Sequence, residues 1–481
     1  MNFVIYDITL LILFAIFVSV FLYKRRKNIK KEGFLLLYKT EWGIKLINRI
    51  GKKYEKLLNV LSYVSVVVGF LLMGVMIYLF GKIVWTYIFE SELVSLVKVP
   101  PIMPLLPYVP QIFNLNYLPA FYFIYWIVII AIVAVSHEVA HGIFAVNKDV
   151  KIKTTGFGFF PYFLPIFLAA FVEMDEKEME KKKIFPQMAI LSAGTFANVL
   201  IGILFMIILV LFFSLAFSSS GVVYDTYSYS TIALAGISSV NNISVQNASY
   251  EMISNLTDGE NLNELVANDK TYFLTKSFLE SQTRNEQYIL LYDDAPAVKA
   301  GLGDIITKVN GVSVDSIEKL SEEISKYSPG EKLIVTTIEN DSLKDYEIVL
   351  GENANNKSKS NIGIGFFVTK SSGILSNVMQ WISSFKDSHI YYKENFVGAE
   401  IIYNLLWWLV LISFSVALIN MLPVGIFDGG RFFYLAILTI TKSERKAKKA
   451  FAITTYLFLA LLLVIMIFWG INLAGWNLFG A

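Results

Sequence analysis

The chain of 481 residues contains no cysteine and only three histidines. It therefore cannot form a disulfide, use a thiol nucleophile or hold a metal through thiolates, so any metal must bind to His, Asp or Glu. The sequence also lacks a strong charge of either sign, since 41 basic residues stand against 39 acidic ones. This balance excludes a global field that would attract nucleic acid.

Hydrophobic residues, by contrast, make up 55% of the chain and aromatic residues 15%, which is typical of a membrane protein. Six apolar stretches are about 20 residues or longer, enough to cross a bilayer as helices. They lie near residues 3–23, 60–85, 119–146, 187–217, 398–421 and 449–472.

Three basic segments between these stretches predict the topology. Lysine and arginine cluster in residues 24–31, 148–183 and 442–449, and loops rich in these residues tend to stay in the cytoplasm. Both termini and the polar stretch 218–390 are then predicted to lie outside the cytoplasm. We expect a multi-pass protein of the cell membrane.

The third apolar stretch ends in Ser-His-Glu-Val-Ala-His at residues 136–141. Residues four apart in a helix lie about 6 Å apart along the axis and on one face, so His137 and His141 can bind the same metal ion. Glu138 is turned aside and can accept a proton from water at the metal, as in many zinc hydrolases. Ionisable groups are costly in an apolar span and usually mark function. The alternative is a pair of histidines at the membrane edge, capped by an interfacial glutamate, with no catalytic role.

Catalytic zinc takes three protein ligands and leaves one position open. His389 falls in the polar stretch, so we expect a carboxylate as the third ligand. Asp428 is the best candidate, because the predicted topology places it at the same cytoplasmic end as the two histidines. An aspartate before two glycines also fits an ordinary turn, and this alternative stays open.

These motifs resemble those of the site-2 protease family of intramembrane zinc metalloproteases. The resemblance lies in His-Glu-Val-Ala-His and in the Asn-x-x-Pro stretch that starts at Asn420 and leads to Phe-Asp-Gly-Gly at 427–430. Residues 193–198, Ala-Gly-Thr-Phe-Ala-Asn, are similar to the family's Ala-Gly-Pro-x-x-Asn segment, but Thr195 replaces the proline. The resemblance implies one zinc ion and a role for Asn198 and Asn420 in orienting substrate or stabilising an oxyanion. Hydrogen bonding between helices is the alternative for both asparagines.

Residues 294–312 resemble the core of a PDZ domain, in which such a run forms a short helix, a strand and a turn. The Asn-Gly turn at 310–311 and the alternation in 332–338 are typical of a small β-rich module. The resemblance implies either capture of an extended chain by strand addition or a size filter before the active site.

Residues 156–172 carry glycine, proline and aromatic side chains at short intervals. We expect a re-entrant hairpin or a sheet on the cytoplasmic side, because irregular backbone survives at membrane depth only when it is buried in protein or lines a wet cavity. This segment is a candidate edge on which an unwound substrate could pair.

We therefore predict a polytopic α-helical membrane protein with six transmembrane helices and an extracytoplasmic β-rich PDZ-like domain. Its predicted parts are two N-terminal transmembrane helices (1–86), the first part of a catalytic membrane core (87–217), the extracytoplasmic region (218–390), the second part of the core (391–435) and a C-terminal transmembrane helix (436–481).

The predicted function is that of a metalloendopeptidase that hydrolyses peptide bonds within or near the transmembrane helices of membrane-anchored substrates, as in regulated intramembrane proteolysis. One Zn²⁺ ion held by His137, His141 and Asp428 would act with Glu138 as general base. The partners would be membrane-anchored proteins and the lipid bilayer, not nucleic acid. Two alternatives stay open: a prenyl-protein or signal-peptide metalloprotease, and a zinc-binding membrane scaffold or transporter whose PDZ domain recruits partners without protease activity.

Overall fold

The structure is a computed structural model that describes residues 3–26, 29–32, 35–89, 105–115, 118–159, 168–259, 261–282, 284–285, 287–339, 342–353, 356–367 and 384–473. The helices of these residues are α1 (Phe3–Lys24), α2 (Ile44–Lys53), α3 (Glu55–Phe89), α4 (Val109–Ile112), α5 (Phe123–Asn147), α6 (Glu176–Glu180), α7 (Ile184–Ala216), α8 (Tyr250–Leu256), α9 (Lys276–Ser281), α10 (Pro296–Ala300), α11 (Ile317–Ser325), α12 (Ala399–Asn420), α13 (Asp428–Thr441) and α14 (Glu444–Leu473).

The strands of the described residues are β1 (Ile29–Glu32), β2 (Leu35–Thr40), β3 (Ile152–Phe159), β4 (Leu168–Met174), β5 (Phe217–Val223), β6 (Thr226–Tyr227), β7 (Tyr229–Ala233), β8 (Ile237–Val240), β9 (Ile243–Ser244), β10 (Asn263–Ala267), β11 (Lys270–Leu274), β12 (Tyr288–Asp293), β13 (Ile305–Val309), β14 (Val312–Ser313), β15 (Lys332–Glu339), β16 (Ser342–Val349), β17 (Gly351–Asn353), β18 (Asn356–Asn361), β19 (Ile364–Gly365) and β20 (Ile390–Glu394). The chain divides into two compact units, one formed by residues 1–212 and 400–481 and the other by residues 213–399.

Six helices within the described residues are long and apolar enough to cross a membrane, namely α1, α3, α5, α7, α12 and α14. They coincide with the six predicted stretches, with bounds shifted by a few residues. α3 and α14 extend further than predicted, because hydropathy marks only the apolar part of a helix and polar ends can continue it. α5 begins at Phe123 rather than at residue 119, since residues 119–122 have no helical structure.

α7 runs without interruption through the segment that is similar to the family's Ala-Gly-Pro-x-x-Asn. Thr195 keeps the backbone N–H that a proline would remove, and its hydroxyl donates to the carbonyl oxygen of Ser192 at 2.9 Å within the helix. The replacement of proline therefore leaves no helix break at this position.

Two apolar clusters of the first unit hold α5 along its length. One joins the C-terminal half of α5 to α2, α3, α7 and α13, and its buried members include Ile47, Val66, Phe144, Ile190, Met421 and Phe432. The other joins the N-terminal half of α5 to α12, and its buried members include Phe121, Trp126, Ile129, Trp408 and Ile412. The motif helix is thus packed on several sides by other helices.

Four antiparallel strands in the order β1-β2-β3-β4 form a sheet in the first unit. β3 and β4 pair within the segment for which we expected a re-entrant hairpin or a sheet, and Thr155 lies opposite Val172 and Phe157 opposite Ala170. Residues 160–167 of that segment lie outside the described residues. β4 stands at the end of this strand order.

An ion pair joins β2 to β4 across β3. Lys39 Nζ lies 2.8 Å from Glu173 Oε2, to which Thr154 Oγ1 also donates at 2.6 Å. The hydrogen bonds from Lys39 and Thr154 hold the pKa of the Glu173 carboxyl below its usual range. Gly156 is the β3 neighbour of Lys39, and a Cβ there would lie only 2.1 Å from the carbonyl oxygen of Tyr38.

The second unit contains two β modules with separate cores. In the outer module, the strand order β16-β15-β13-β5-β20, with β14 paired to β13, packs against α10 and α11. In the inner module, the strand order β7-β12-β11-β10-β8-β9 packs against α8 and α9. The inner module lies between β6 and α10 in the chain, so it is an insertion into the outer module.

The two modules share one motif. Residues 237–245, Ile-Ser-Ser-Val-Asn-Asn-Ile-Ser-Val, and residues 306–314, Ile-Thr-Lys-Val-Asn-Gly-Val-Ser-Val, each form a strand, a turn and a short strand. The first residue of each turn is an asparagine, Asn241 or Asn310. Its Oδ1 accepts a backbone N–H from the strand that follows the next helix, at 3.0 Å for Asn241 and 2.7 Å for Asn310. The similarity of sequence and hydrogen bonding indicates an internal repeat.

Candidate metal centre and active site

Two histidines of α5 turn their imidazole rings towards each other. His137 and His141 are four residues apart, and their Nε2 atoms are separated by 3.0 Å. Both are buried, with exposed fractions of 7% and 5%. Because residues four apart share one face of a helix, the spacing alone brings both rings to the same interior site.

Asp428 of α13 completes a group of three. Its Oδ2 lies 3.2 Å from the Nε2 atom of each histidine. Asp428 begins a helix rather than occupying an isolated turn. The glycines after it have a packing role, since a Cβ on Gly430 would lie 2.4 Å from the carbonyl oxygen of Val424.

The three ligand atoms suit a zinc ion. Bonds of about 2.0–2.1 Å in a tetrahedral zinc site separate the ligand atoms by about 3.3 Å. The separations here are 3.0 Å between the two nitrogens and 3.2 Å from each nitrogen to the oxygen. Two imidazoles and a carboxylate also match the donor set of catalytic zinc, which keeps a fourth position open. These three residues, His137, His141 and Asp428, form a candidate ligand group that could hold one metal ion.

The second ring nitrogen of each histidine faces α7. His141 Nδ1 donates to the carbonyl oxygen of Ile190 at 2.7 Å, which leaves Nε2 without a proton and free for a metal. His137 Nδ1 lies 3.0 Å from Nδ2 of Asn198. Among the described residues, the buried Oδ1 of Asn198 has no hydrogen-bond partner. A half-turn of this amide brings Oδ1 to His137 Nδ1 as an acceptor, which gives both histidines the same metal-binding tautomer.

Gly194 of α7 lies directly against the two imidazole rings. A Cβ there would lie 2.4 Å from His141 Nε2 and 2.6 Å from His137 Nε2. The ligand group therefore needs glycine at this position. Gly194 belongs to the segment that is similar to the family motif, but the resemblance gives it no role. Its spacing of four residues from Asn198, on the same helix face, is the signal in the sequence that points to it.

Glu138 lies beside the ligand group and is held by the sheet. Its Oε2 accepts the backbone N–H of Val172 in β4 at 2.9 Å. Glu138 and Asp428 line the same cavity. The arrangement places a carboxylate that is not a member of the ligand group next to it, as a general base requires.

A cavity of about 460 Å³ opens at the ligand group. Apolar side chains from α5, α12 and β4 form much of its wall, among them Ile129, Ile130, Val133, Ala169, Ala170, Met174, Ile412 and Val416. Asn420 lines this cavity, whereas Asn198 is fully buried against His137. The two asparagines therefore occupy different parts of the site.

A histidine pair with an adjacent glutamate, a carboxylate from a second helix and a cavity between helices of membrane-spanning length define the class of zinc peptidases that are built into membranes. The family model of peptidase family M50 matches residues 125–465, and the chain belongs to this family. The resemblance to the site-2 proteases is thereby confirmed, and so is zinc as the metal of the family. The chain is a multi-pass membrane protein.

Individual relatives cover smaller parts of the chain. It is similar to the zinc metalloprotease RasP of Shouchella clausii, with 26% identity over 223 residues, which are 40% of this chain and 53% of that protein. It is also similar to probable periplasmic serine endoproteases, DegP-like, of Brucella suis and Brucella abortus, with 36% identity over 70 residues and 14% of each chain. The alignments thus span about half of the RasP length and a small part of the DegP-like proteins.

Proposed function

We propose that this protein is an intramembrane zinc metalloendopeptidase that hydrolyses peptide bonds within or near the transmembrane helices of membrane-anchored proteins, as in regulated intramembrane proteolysis. The observation that carries the proposal is the convergence of His137 Nε2, His141 Nε2 and Asp428 Oδ2, with Glu138 beside them. Membership of peptidase family M50 supports it.

The side chains of the site divide the chemistry between them. A zinc ion at the ligand group would polarise the scissile carbonyl and lower the pKa of bound water. Glu138 would take up the proton of the attacking water and return it to the leaving nitrogen. Asn420 would hold the substrate backbone or the developing oxyanion from the cavity wall, and Asn198 would orient His137.

Among the described residues, β4 is an edge strand of its sheet, and this edge supports a way of holding the substrate. A transmembrane helix hides its carbonyl groups in internal hydrogen bonds, so a substrate must unwind before it is cleaved. Backbone groups alternate in direction along a strand, and the Val172 N–H points away from β3 towards Glu138. The Ala170 N–H therefore points the same way, and Ala170 lines the cavity. An unwound substrate would pair with β4 at this position.

Ala170→Pro tests this pairing, because proline removes the outward N–H but is tolerated on an edge strand. We expect cleavage of a transmembrane reporter to fall up to about 10-fold, the size expected from the loss of one backbone hydrogen bond, with zinc affinity unchanged. Ala170→Ser keeps the N–H and serves as the control. Wild-type cleavage by Ala170→Pro would argue against strand pairing.

We further propose the predicted topology, with the active site towards the cytoplasm and the β-rich second unit outside it. The three basic loops of the sequence support this orientation. The catalytic core would then be split by the β-rich region, into residues 87–217 and 391–435. The succession of α10, β13, a turn and β14 at residues 296–313 supports a PDZ-like module, whose role would be peptide capture or size selection.

The decisive experiment incubates purified full-length protein with single-span reporter substrates. Wild type should cleave them. Glu138→Ala should abolish cleavage and retain zinc, because the glutamate is not a ligand. Asp428→Asn should weaken zinc binding, because it removes the anionic donor. Cleavage that persists in Glu138→Ala and after chelation would overturn the mechanism.

The same variants separate the alternatives. A zinc-binding scaffold or transporter predicts zinc binding without hydrolysis and function that survives Glu138→Ala, and the membership of a peptidase family argues against it. A prenyl-protein or signal-peptide metalloprotease would take its third ligand elsewhere. Asp428→Asn with retained activity and zinc would favour that enzyme.

A further inference from the structure

α1 carries one acidic residue, Asp7, near the start of an otherwise apolar span. Charged groups in membrane helices are costly and usually pair with other groups or serve a function. Most side chains of α1 are exposed in this structure, but Asp7 is 3% exposed. A buried carboxylate at this position needs hydrogen-bond partners.

Both carboxylate oxygens of Asp7 accept hydrogen bonds. Oδ2 accepts the Tyr108 hydroxyl at 2.5 Å and the Phe123 backbone N–H at 2.7 Å, and Oδ1 accepts the Ile124 backbone N–H at 2.9 Å. Phe123 and Ile124 are the first two residues of α5, and Tyr122 before them makes no side-chain cap bond. The first N–H groups of a helix have no partner within it and carry the positive end of its dipole. Asp7 therefore caps α5 from another helix.

The segment before α5 is held at the same point. The Tyr108 backbone N–H donates to the carbonyl oxygen of Phe121 at 2.7 Å, and Trp126 Nε1 donates to the carbonyl oxygen of Leu105 at 2.9 Å. The hydroxyl of Tyr108 then binds Asp7. Hydrogen bonds that involve Leu105, Tyr108 and Asp7 thus fix the chain at the N-terminus of α5.

α5 connects this cap to the ligand group. Phe123 and His137 belong to the same helix, and their positions differ by about 21 Å along its axis. A slip or rotation of the helix at Phe123 moves His137, Glu138 and His141 together relative to Asp428. Because a misplacement of about 1 Å can lower a rate about 100-fold, a distant anchor can affect the chemistry.

We propose that Asp7 is a positioning residue that caps the N-terminus of α5 and so sets the depth and rotation of the helix that carries the metal ligands. It lies outside residues 125–465, which match the peptidase family. The effect on cleavage rests on the proposed function, but the cap itself does not.

The test compares full-length wild type with Asp7→Asn, which loses the charge and part of the accepting capacity. Amide hydrogen exchange at Phe123 and Ile124 should become about 5- to 10-fold faster, the size of the loss of one N-cap bond. The absorption bands of Co²⁺ bound in place of zinc should change, and kcat should fall more than KM rises. Thr9→Val is the control, because the Thr9 hydroxyl bonds only to Ile5 of α1 among the described residues, and it should alter none of these.

A merely structural role would lower the stability of Asp7→Asn but leave the Co²⁺ bands and kcat of the folded protein unchanged, and that result would overturn the proposal. If Asp7→Asn does not fold, Tyr108→Phe removes one donor to the carboxylate and should accelerate the same two amides by a smaller factor; unchanged exchange would also overturn it. If wild type cleaves no substrate, the proposed function fails, while exchange and Co²⁺ spectra still decide the role of Asp7.

Discussion

At the scale of single residues, the ligand group depends on its contacts with α7. Ile190 and Asn198 engage the two Nδ1 atoms, and Gly194 leaves room for both rings. None of these three is a metal ligand. They determine which nitrogen of each imidazole faces the candidate metal site and how closely the two rings approach each other.

Asn198→Ala should lower the zinc affinity about 10- to 100-fold, because it removes the partner that orients a ligating histidine. Asn198→Asp keeps an acceptor oxygen for His137 Nδ1 and should restore most of the affinity. Competition with a chelator of known affinity measures both. Wild-type affinity in Asn198→Ala would show that the contact does not orient His137.

Gly194→Ala should reduce both zinc affinity and cleavage more than about 10-fold, since the new Cβ would meet the Nε2 atoms that could hold the metal. Gly74→Ala is the matched control: Gly74 also lies in a long apolar helix, α3, and a Cβ there has nothing within 4 Å among the described residues. Zinc titration and reporter cleavage of the two variants give the comparison. Equal values for both would contradict the close fit at Gly194.

At the scale of elements, β4 links the sheet to the candidate active site. Its backbone holds Glu138 through Val172, and its side chains line the cavity. The residue after Val172, Glu173, forms the ion pair with Lys39 that joins β4 to β2. The position of the proposed general base thus depends on a strand that the β3 ladder and the Lys39–Glu173 ion pair hold in the sheet.

β4 should loosen in acid. The pKa of Glu173 is lowered by the bonds from Lys39 and Thr154, so its ionised form stabilises the sheet above the pKa of the unfolded chain, about 4.3, and this contribution is lost as the pH falls through the lower pKa of the folded state. Exchange protection of the β4 amides should therefore be full near about pH 6 and drop as the pH falls below about 4.3.

Glu173→Gln is the control for this prediction, because it cannot ionise. Its β4 amides should be less protected than those of wild type at the higher pH, with a smaller change on acidification. The same pH dependence in both proteins would assign the loosening to other groups, such as Asp175, whose pKa the hydrogen bond from Lys153 also lowers.

At the scale of the whole molecule, the chain consists of two units with their own cores. The buried side chains of the inner module are not part of the clusters around α5 in the described residues. A change deep in one unit should therefore add little to the energetics of the other.

Leu265→Ala should destabilise the inner module by about 2–5 kcal/mol, the usual cost of truncating a fully buried leucine. Zinc affinity should not change. Leu262→Ala, at a position that is 39% exposed in the same module, should have little effect on either. Hydrogen exchange of β10 and β11 and zinc titration measure the two properties. A parallel loss of zinc affinity in Leu265→Ala would show that the units are coupled.

Local patterns explain which features could be predicted. Hydropathy located the six long helices, and the spacing of His137 and His141 placed them on one face. The inner module was missed, because its turn has Asn242 where the outer module has Gly311 and its flanking sequence lacks the PDZ-like run. The choice between a hairpin and a sheet for residues 156–172 also stayed open, because pairing with β2 depends on residues more than 100 positions earlier.

By itself, the sequence determined the membrane-spanning pattern, the histidine pair on one helix face and the family, since apolar length and helical spacing are properties of neighbouring residues. Only the tertiary structure decided which groups meet across the bundle: the backing of the imidazoles by Gly194, the contact of Asn198 with His137 and the cap of α5 by Asp7. These contacts join residues far apart in the chain, and they depend on how helix faces pack, which no local pattern specifies.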